Sequence, residues 1–198
     1  MTGAAAGGHD LVAIGASWGG LDAIRTILRR LPASLDAAVV VAQHRTAASH
    51  PTALRDLLGS ATAMKVCEAG DKDELRPGSV YIAAPDYHVL IEQSSIALTT
   101  DAPVHYARPS IDVLLASAAE AYLERCVGVV LTGANGDGAH GLKHVVELGG
   151  AAIVQDPASA TRDEMPRAAL AAVPDARVAP VEEIAAIVVG LCGERQAA

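Results

Sequence analysis

Three polar residues in this sequence have the types and surroundings that nucleophilic catalysis requires. Ser17 lies in the segment Gly15–Gly20, which reads GASWGG and directly follows an apolar run. This pattern fits the G-x-S-x-G turn between a strand and a helix, in which small residues lift a serine hydroxyl above a sheet. A phosphate-binding turn and a turn that has no chemical role are the alternatives, because short motifs have many chance matches.

A serine hydroxyl is a poor nucleophile near neutral pH unless a base accepts its proton. His44 follows the apolar run Ala37–Ala42 and is the candidate base, and a surface histidine in a loop is the alternative. Asp137 lies among glycines in TGANGDGAHG and is the candidate acid that would orient the imidazole. A simple helix cap is the other interpretation of that aspartate. Together, the three positions predict a catalytic triad of Ser17, His44 and Asp137.

The elements that must position these residues follow from the alternation of short apolar runs with segments of helical periodicity. We predict strands at Leu11–Ala16, Ala37–Ala42, Ala63–Cys67, Val127–Thr132 and Ala151–Gln155. We predict helices over residues 21–31, 50–58, 111–122 and 166–172, one from about residue 139, and a last one over 181–191. Val80–Ala84, Val89–Glu92 and Ile96–Thr99 are expected to form a β-hairpin insertion.

This alternation predicts an α/β fold, doubly wound, with three α/β/α layers and a mainly parallel sheet. We expect one catalytic domain over residues 10–193, a flexible tail over 1–9 and a C-terminal tail over 194–198. Ligands of such folds bind beyond the carboxyl ends of the strands. The serine, histidine and aspartate all follow predicted strands, so they are expected to meet at one edge of the sheet.

Composition excludes several classes of protein. Hydrophobic residues make up 51% of the chain and charged residues 19%, which is typical of a globular domain. A net charge of -8 argues against a nucleic-acid partner, because phosphate contacts need a clustered basic surface. No apolar run reaches the roughly 18 residues that span a bilayer, so we expect a cytoplasmic protein without membrane insertion.

Cofactor and metal sites are not expected. The dinucleotide-binding fingerprint requires a second glycine where Ser17 stands. His140 and His144 are four residues apart, but they have neither the HExxH pattern nor a third ligand, and we expect them on a solvated helix face.

Five stretches of the sequence together resemble one family. They are Val12–Gly20 (VAIGASWGG), Val40–His44 (VVAQH), Arg76–His88 (RPGSVYIAAPDYH), Ala107–Leu114 (ARPSIDVL) and Leu131–Gly141 (LTGANGDGAHG), which continues to Pro157. In this combination and order the chain resembles the catalytic domain of the CheB-type chemotaxis protein-glutamate methylesterases. The resemblance implies a parallel sheet covered by helices and hydrolysis of glutamate methyl esters on methyl-accepting chemoreceptors or similar methylated signalling proteins. Some members of this family also deamidate receptor glutamines.

The resemblance assigns roles to individual residues. Ser17 matches the nucleophile, His44 the general base and Asp137 the orienting acid. The backbone N–H of Ala134 falls where the family has an oxyanion-hole amide, and the N–H of Trp18 is a further candidate. For binding an acidic receptor helix, the candidates are Arg45 and Arg108, although arginines exposed on the surface without such a role are the alternative.

The sequence departs from the family's pattern at several points. Trp18 stands where the family usually has threonine, and Gly133-Ala134-Asn135 replaces Gly-Met-Gly. No response-regulator receiver domain precedes Leu11, so we expect a stand-alone catalytic domain that another protein or its expression level regulates. These departures motivate an alternative function, in which the chain is a catalytically impaired module that serves as a binding or regulatory partner.

Overall fold

The computed structural model describes residues 8–44 and 53–195, and its elements are numbered here along the chain. The strands are β1 Leu11–Ala16, β2 Ala38–Gln43, β3 Lys65–Glu68, β4 Ser79–Ile82, β5 His88–Glu92, β6 Ser95–Thr99, β7 Cys126–Val130, β8 Ala151–Gln155 and β9 Arg177–Ala179. The helices are α1 Gly20–Leu28, α2 Ala53–Gly59, α3 Ile111–Tyr122, α4 Ala139–Glu147, α5 Glu164–Ala172 and α6 Val181–Cys192.

Seven of the strands form one sheet in the order β3-β4-β2-β1-β7-β8-β9, and every neighbouring pair in it is parallel. β1 is the central strand, with β2 on one side and β7 on the other. All residues of β1, β2 and β7 are buried, as expected for a parallel sheet that is covered on both faces. The predicted doubly wound α/β fold is confirmed.

Two hydrophobic clusters fill the space on the two faces of the sheet. Alternate residues of β1 face opposite sides: Leu11 and Ala13 belong to one cluster, and Val12 and Ile14 belong to the other. The first cluster also contains apolar side chains of α3, α4, α5 and the β5–β6 pair. The second contains side chains of α1, α2 and α6. The three predicted layers are therefore present.

Helix α3 packs unusually close to the end of β1. A Cβ atom at Gly15 would lie 2.1 Å from Ile111 Cγ2, which is far shorter than any real contact. Glycine at this position therefore lets the first residue of α3 approach the carboxyl end of the central strand. This approach brings the start of α3 to the edge of the sheet where Ser17 follows.

The prediction of the hairpin was wrong for Val80–Ala84. This segment contributes to β4, which pairs in parallel with β3 and β2 in the main sheet, and the hairpin is formed by β5 and β6 alone. A run of four to five apolar residues has the same appearance in a hairpin and in a parallel sheet, so only the pairing partner distinguishes them. The edge strand β9 was not predicted. The predicted helix over 50–58 is observed at Ala53–Gly59, and residues 50–52 lie outside the described residues.

Across the ranges 8–44 and 53–195, no helix combines the length and the apolar character needed to cross a bilayer.

Candidate active site

Ser17 lies directly after β1, in the turn that leads into α1. Gly19 has a φ of 78°, a left-handed conformation that glycine adopts without steric cost, and a Cβ atom there would lie 2.6 Å from the Cβ of Thr161. The Ser17 N–H donates to the carbonyl of Thr132 at 2.9 Å, and the Gly20 N–H donates to the carbonyl of Ser17 at 2.9 Å. The backbone of the serine is thereby fixed between the ends of β1 and β7.

His44 follows β2, the strand adjacent to β1, and its N–H donates to the carbonyl of Ala16 at 3.0 Å. The buried side chain of Gln43 connects the two strand ends. Its Nε2 donates to the carbonyl of Ser17 at 2.7 Å and to the carbonyl of His44 at 3.0 Å. Gln43 therefore holds the backbones of Ser17 and His44 in a constant relation to each other.

The carboxylate of Asp137 is fully buried at the amino end of α3. Its Oδ1 accepts hydrogen bonds from Ser110 Oγ at 2.9 Å and from the N–H of Asp112 at 2.9 Å. Its Oδ2 accepts from the N–H of Ile111 at 2.8 Å. The first N–H groups of a helix have no partner within the helix and favour an anion, so the start of α3 is a fitting place for a carboxylate.

Two opposing effects act on the ionisation of Asp137. Burial alone would raise its pKa, but hydrogen bonds from His44 and from the N–H groups of Ile111 and Asp112 outweigh burial and hold the pKa below its ordinary value of 3.8. The carboxylate is therefore ionised at neutral pH although it is shielded from solvent.

Ser17, His44 and Asp137 form one continuous row of hydrogen bonds. His44 Nδ1 lies 3.1 Å from Ser17 Oγ, and His44 Nε2 lies 2.8 Å from Asp137 Oδ2. An ionised carboxylate only accepts hydrogen bonds, so Nε2 carries the ring proton and donates it to Asp137. Nδ1 then presents its lone pair to the serine hydroxyl. The structure thus brings together the three residues that the sequence singles out, from the adjacent strands β1, β2 and β7.

Two backbone amides near Ser17 are available to a ligand. Among the described residues, the N–H groups of Trp18 and Ala134 donate to no protein acceptor, whereas the neighbouring Gly133 N–H donates to the carbonyl of Arg162 at 3.1 Å. Gly133 is also close to the serine, since a Cβ atom there would lie 2.9 Å from Ser17 Cβ. Both predicted oxyanion donors therefore lie in segments that adjoin the serine.

The indole of Trp18 is 65% exposed, and the guanidinium carbon of Arg162 lies 6.0 Å from its ring centroid. This separation is at the outer limit of a cation–π contact. The carbonyl of Trp18 accepts a hydrogen bond from Thr132 Oγ1 at 2.9 Å, which fixes the backbone while the side chain faces solvent.

The two arginines predicted to bind substrate have different outcomes. Arg45 lies outside the described residues. The guanidinium of Arg108 donates to Asp86 Oδ1 at 2.6 and 3.1 Å and to the carbonyls of Thr100 at 2.7 Å and Asp101 at 3.0 Å. These bonds occupy most of its donors, so the observed contacts of Arg108 brace a loop, and its binding of substrate stays a prediction.

The side chains of His140 and His144 do not converge with other ligands. His144 lies within 3.7 Å of Glu120 and Glu147, and His140 stacks against His105 with 6.3 Å between ring centroids. In the part of the chain that the structure describes, no group of three or more His, Cys, Asp or Glu side chains could hold a metal ion.

Sequence reasoning missed the residues that support the three-residue row. Ser110 and Asp112 lie in the stretch ARPSIDVL and Gln43 lies in VVAQH, and both stretches indicate the family resemblance without assigning a role to these three residues. A serine directly before a helix is a capping signal, and Ser110 Oγ does accept from the N–H of Val113 at 3.4 Å. That signal locates the start of α3, but it does not reveal that the same hydroxyl reaches Asp137.

The fold and this row of side chains define an α/β protein with the constellation of a serine hydrolase. The family model described as CheB methylesterase matches residues 12–188. This chain belongs to the CheB methylesterase family.

The similarity extends to individual proteins. A relative from Leptospira interrogans is 41% identical over 184 residues, which cover 92% of this chain and 95% of the relative. The protein-glutamate methylesterase FrzG of Myxococcus xanthus is 38% identical over 90% of this chain, which spans about half of its length (53%). The crystal structure of the Thermotoga maritima CheB methylesterase catalytic domain matches with a TM-score of 0.87 and 30% identity, covering 94% of this chain and all of that one.

Proposed function

We propose that this protein is a protein-glutamate methylesterase that hydrolyses glutamate methyl esters on methyl-accepting chemoreceptors or similar signalling proteins in the cytoplasm. The relatives named above support the reaction, and the hydrogen-bonded row of Ser17, His44 and Asp137 is the single observation that carries the mechanism. Residues 10–193 form the catalytic domain in this proposal. Deamidation of receptor glutamines would use the same nucleophile and the same donors.

In the first half of the reaction, Ser17 Oγ attacks the ester carbonyl carbon while His44 Nδ1 takes the hydroxyl proton. The distance of 3.1 Å between these atoms is within hydrogen-bond reach, as proton transfer requires. The protonated imidazole is stabilised by the ionised Asp137 at 2.8 Å. The imidazolium then gives its proton to the departing methoxide. Methanol is released, and a glutamyl ester remains on Ser17.

In the second half, a water molecule attacks this ester and His44 takes one of its protons, which it returns to Ser17 Oγ as the glutamic acid side chain leaves. The acid then releases its remaining proton to solvent and becomes glutamate. Both halves pass through a tetrahedral oxyanion. The N–H groups of Trp18 and Ala134, which have no acceptor within residues 8–44 and 53–195, are its proposed donors. Comparable enzymes lose about 10²–10³ in kcat when one such donor is removed. Because backbone amides supply these bonds, the substitution of the family's threonine by Trp18 leaves this donor in place.

The direct test is release of methanol from the purified cytoplasmic region of a methylated chemoreceptor, together with labelling of the enzyme by a fluorophosphonate. We expect methanol in proportion to demethylated glutamate and covalent modification of Ser17, since the row activates this hydroxyl. Labelling without methanol release would point to an ester on a different protein. If neither occurs, the chain is the binding or regulatory module described as the alternative.

Loss of the Ser110 hydroxyl is expected to weaken the site through Asp137. In Ser110→Ala the buried carboxylate loses one of its donors, so we expect a kcat lower by about tenfold and a free energy of unfolding lower by about 1.5–3 kcal/mol. Ser110→Thr retains a hydroxyl and should recover most of both. Chemical denaturation and methanol release measure the two quantities.

The matched control for this substitution is Ser95→Ala. Ser95 Oγ also donates to a carboxylate, that of Glu92 at 3.3 Å, but this pair lies on the surface of the hairpin. We expect a change in unfolding free energy within about 0.5 kcal/mol for Ser95→Ala. Equal losses of unfolding free energy in Ser110→Ala and Ser95→Ala would contradict the proposed role of Ser110 in stabilising Asp137.

A further inference from the structure

The few aromatic residues of this chain are distributed unevenly. It contains one tryptophan, four tyrosines and no phenylalanine. Tyr81 and Tyr122 are buried, whereas Trp18, Tyr87 and Tyr106 are exposed large apolar side chains, and Tyr106 is fully exposed. Two of these exposed aromatics lie near the candidate active site: Trp18 follows the serine, and Tyr106 lines an open cleft of about 480 Å³ together with His44.

Tyr106 stands at the tip of a loop over residues 100–109, which we call the arm. Val104 and Ala107 exchange two backbone hydrogen bonds, of 3.1 and 2.9 Å, and so close a two-residue turn. The two residues of this turn, His105 and Tyr106, have φ values of 49° and 61°. Such turns favour glycine or asparagine, and other residues in this conformation cost of order 1 kcal/mol or more each.

The base of the arm is braced by Arg108. Its guanidinium donates to the carbonyls of Thr100 and Asp101 within the arm and to the carboxylate of Asp86. Arg108 therefore joins the two ends of the arm and ties them to the loop that precedes β5. An arm held in this way presents its tip in a defined position.

A second set of contacts connects the arm to the proposed triad. His105 Nε2 lies 3.3 Å from Asp112 Oδ2, and the other oxygen of Asp112 accepts from the N–H groups of Gly138 at 2.9 Å and Gly141 at 2.7 Å. The N–H of Asp112 donates to Asp137 itself. The position of Tyr106 is thus coupled through two residues to the carboxylate that orients His44.

We propose that Tyr106 is a specificity-determining residue, which the arm presents to the polypeptide segment that flanks the esterified glutamate. This inference rests on the proposed function. A polypeptide is the occupant because the cleft is open, is continuous with His44 and is bordered by a ring that is fully exposed in the free protein. Tyrosine is well suited to such a contact, since it covers a large area with few rotatable bonds and has a polar hydroxyl for the rim. The turn costs conformational free energy and is braced by Arg108 and His105. Neither feature would be needed if Tyr106 only faced solvent.

The test compares a methylated receptor fragment with N-acetylglutamate γ-methyl ester, which has no flanking residues. In Tyr106→Ala we expect the ratio of kcat/KM for the fragment to kcat/KM for the small ester to fall about tenfold or more, through a higher KM for the fragment. Tyr106→Phe keeps the ring and should recover most of that ratio. The control is Val146→Ala, which truncates an exposed apolar side chain at the far end of α4 and should leave the ratio unchanged.

Binding separates this inference from the proposed function. The methylated receptor fragment is titrated into Ser17→Ala protein and into the double variant Ser17→Ala/Tyr106→Ala. A Kd at least about tenfold higher for the double variant supports the role of Tyr106. This result would hold even if the wild type releases no methanol. Equal Kd values overturn it. A kcat/KM that falls equally for the fragment and the small ester also overturns it, because the arm would then act only on the catalytic residues.

Discussion

Ser17→Ala is expected to lower kcat for methanol release by about 10⁴-fold or more, because the proposed acyl-enzyme cannot form without the hydroxyl. The only side-chain hydrogen bond of Ser17 among the described residues is the one to His44, at 3.1 Å, so the variant should fold and unfold like the wild type. The rate is measured as methanol released from a methylated receptor fragment, and folding as the midpoint of thermal unfolding.

Ser60→Ala is the control for this substitution, because Ser60 is an exposed serine at the end of α2 whose hydroxyl donates to the carbonyl of Leu57. It should retain wild-type activity. The combination of Ser17→Ala with His44→Ala should cost little more than Ser17→Ala alone, since residues that act as one unit are not additive. Substantial methanol release by Ser17→Ala would exclude the serine as the nucleophile.

Asp137→Asn is expected to have the second largest effect, a loss of about 10⁴ in kcat. An asparagine has one acceptor oxygen and an NH₂ group in place of two acceptor oxygens. If the NH₂ group faces His44, Nε2 must accept, the ring proton moves to Nδ1, and Nδ1 can no longer take the proton of Ser17. In this orientation the NH₂ group also faces the N–H of Ile111, and in the other it faces Ser110 Oγ and the N–H of Asp112. One buried N–H group loses its acceptor in either case, so we also expect a loss of about 2–4 kcal/mol in unfolding free energy at neutral pH.

The difference in unfolding free energy between wild type and Asp137→Asn is expected to depend on pH, and the sign of this dependence follows from the pKa of Asp137. The folded-state pKa of Asp137 is lower than its ordinary value of 3.8, so its ionised form stabilises the folded protein above that value. This contribution is lost as the pH falls through the folded-state pKa. The difference between wild type and Asp137→Asn should therefore be full at pH 7 and diminish in the acid range below 3.8. A difference that stays constant through the acid range would contradict an ionised, hydrogen-bonded carboxylate.

Asp163→Asn is the matched control, since Asp163 is a partly exposed aspartate whose carboxylate pairs with Arg167 on the surface at 2.6 Å. We expect full activity and a change in stability within about 1 kcal/mol for this variant.

The sheet was predictable because its central strands are continuous apolar runs. Leu11–Ala16 was predicted with its observed bounds, and Ala151–Gln155 likewise. β9 was missed because Arg177 and Val178 are exposed and the strand has only three residues, so its sequence has no strand-like run. Val80–Ala84 shows a second limit of prediction from sequence. Its composition predicts that it forms a strand, but it does not predict which strand pairs with it.

The part of the candidate site that is formed by residues at the ends of strands could be predicted from the sequence. Residues after β1, β2 and β7 lie at one edge of a parallel sheet, so Ser17, His44 and Asp137 were expected to meet. Their roles stay predictions until the variants above are measured. The support of Asp137 by α3 was not predictable, because Ser110 and Asp112 are more than 20 residues away in sequence and reach the carboxylate only through the close packing that Gly15 permits.

The position of the single tryptophan has a practical consequence for solution work. All indole fluorescence of this protein originates at Trp18, the residue next to Ser17, and its ring is 65% exposed in the free protein. A bound polypeptide that excludes water from this ring would shift the emission to shorter wavelength, whereas events at the remote end of the sheet would leave it unaltered. Native protein therefore carries its own optical reporter at the candidate site, and binding can be followed without an attached dye.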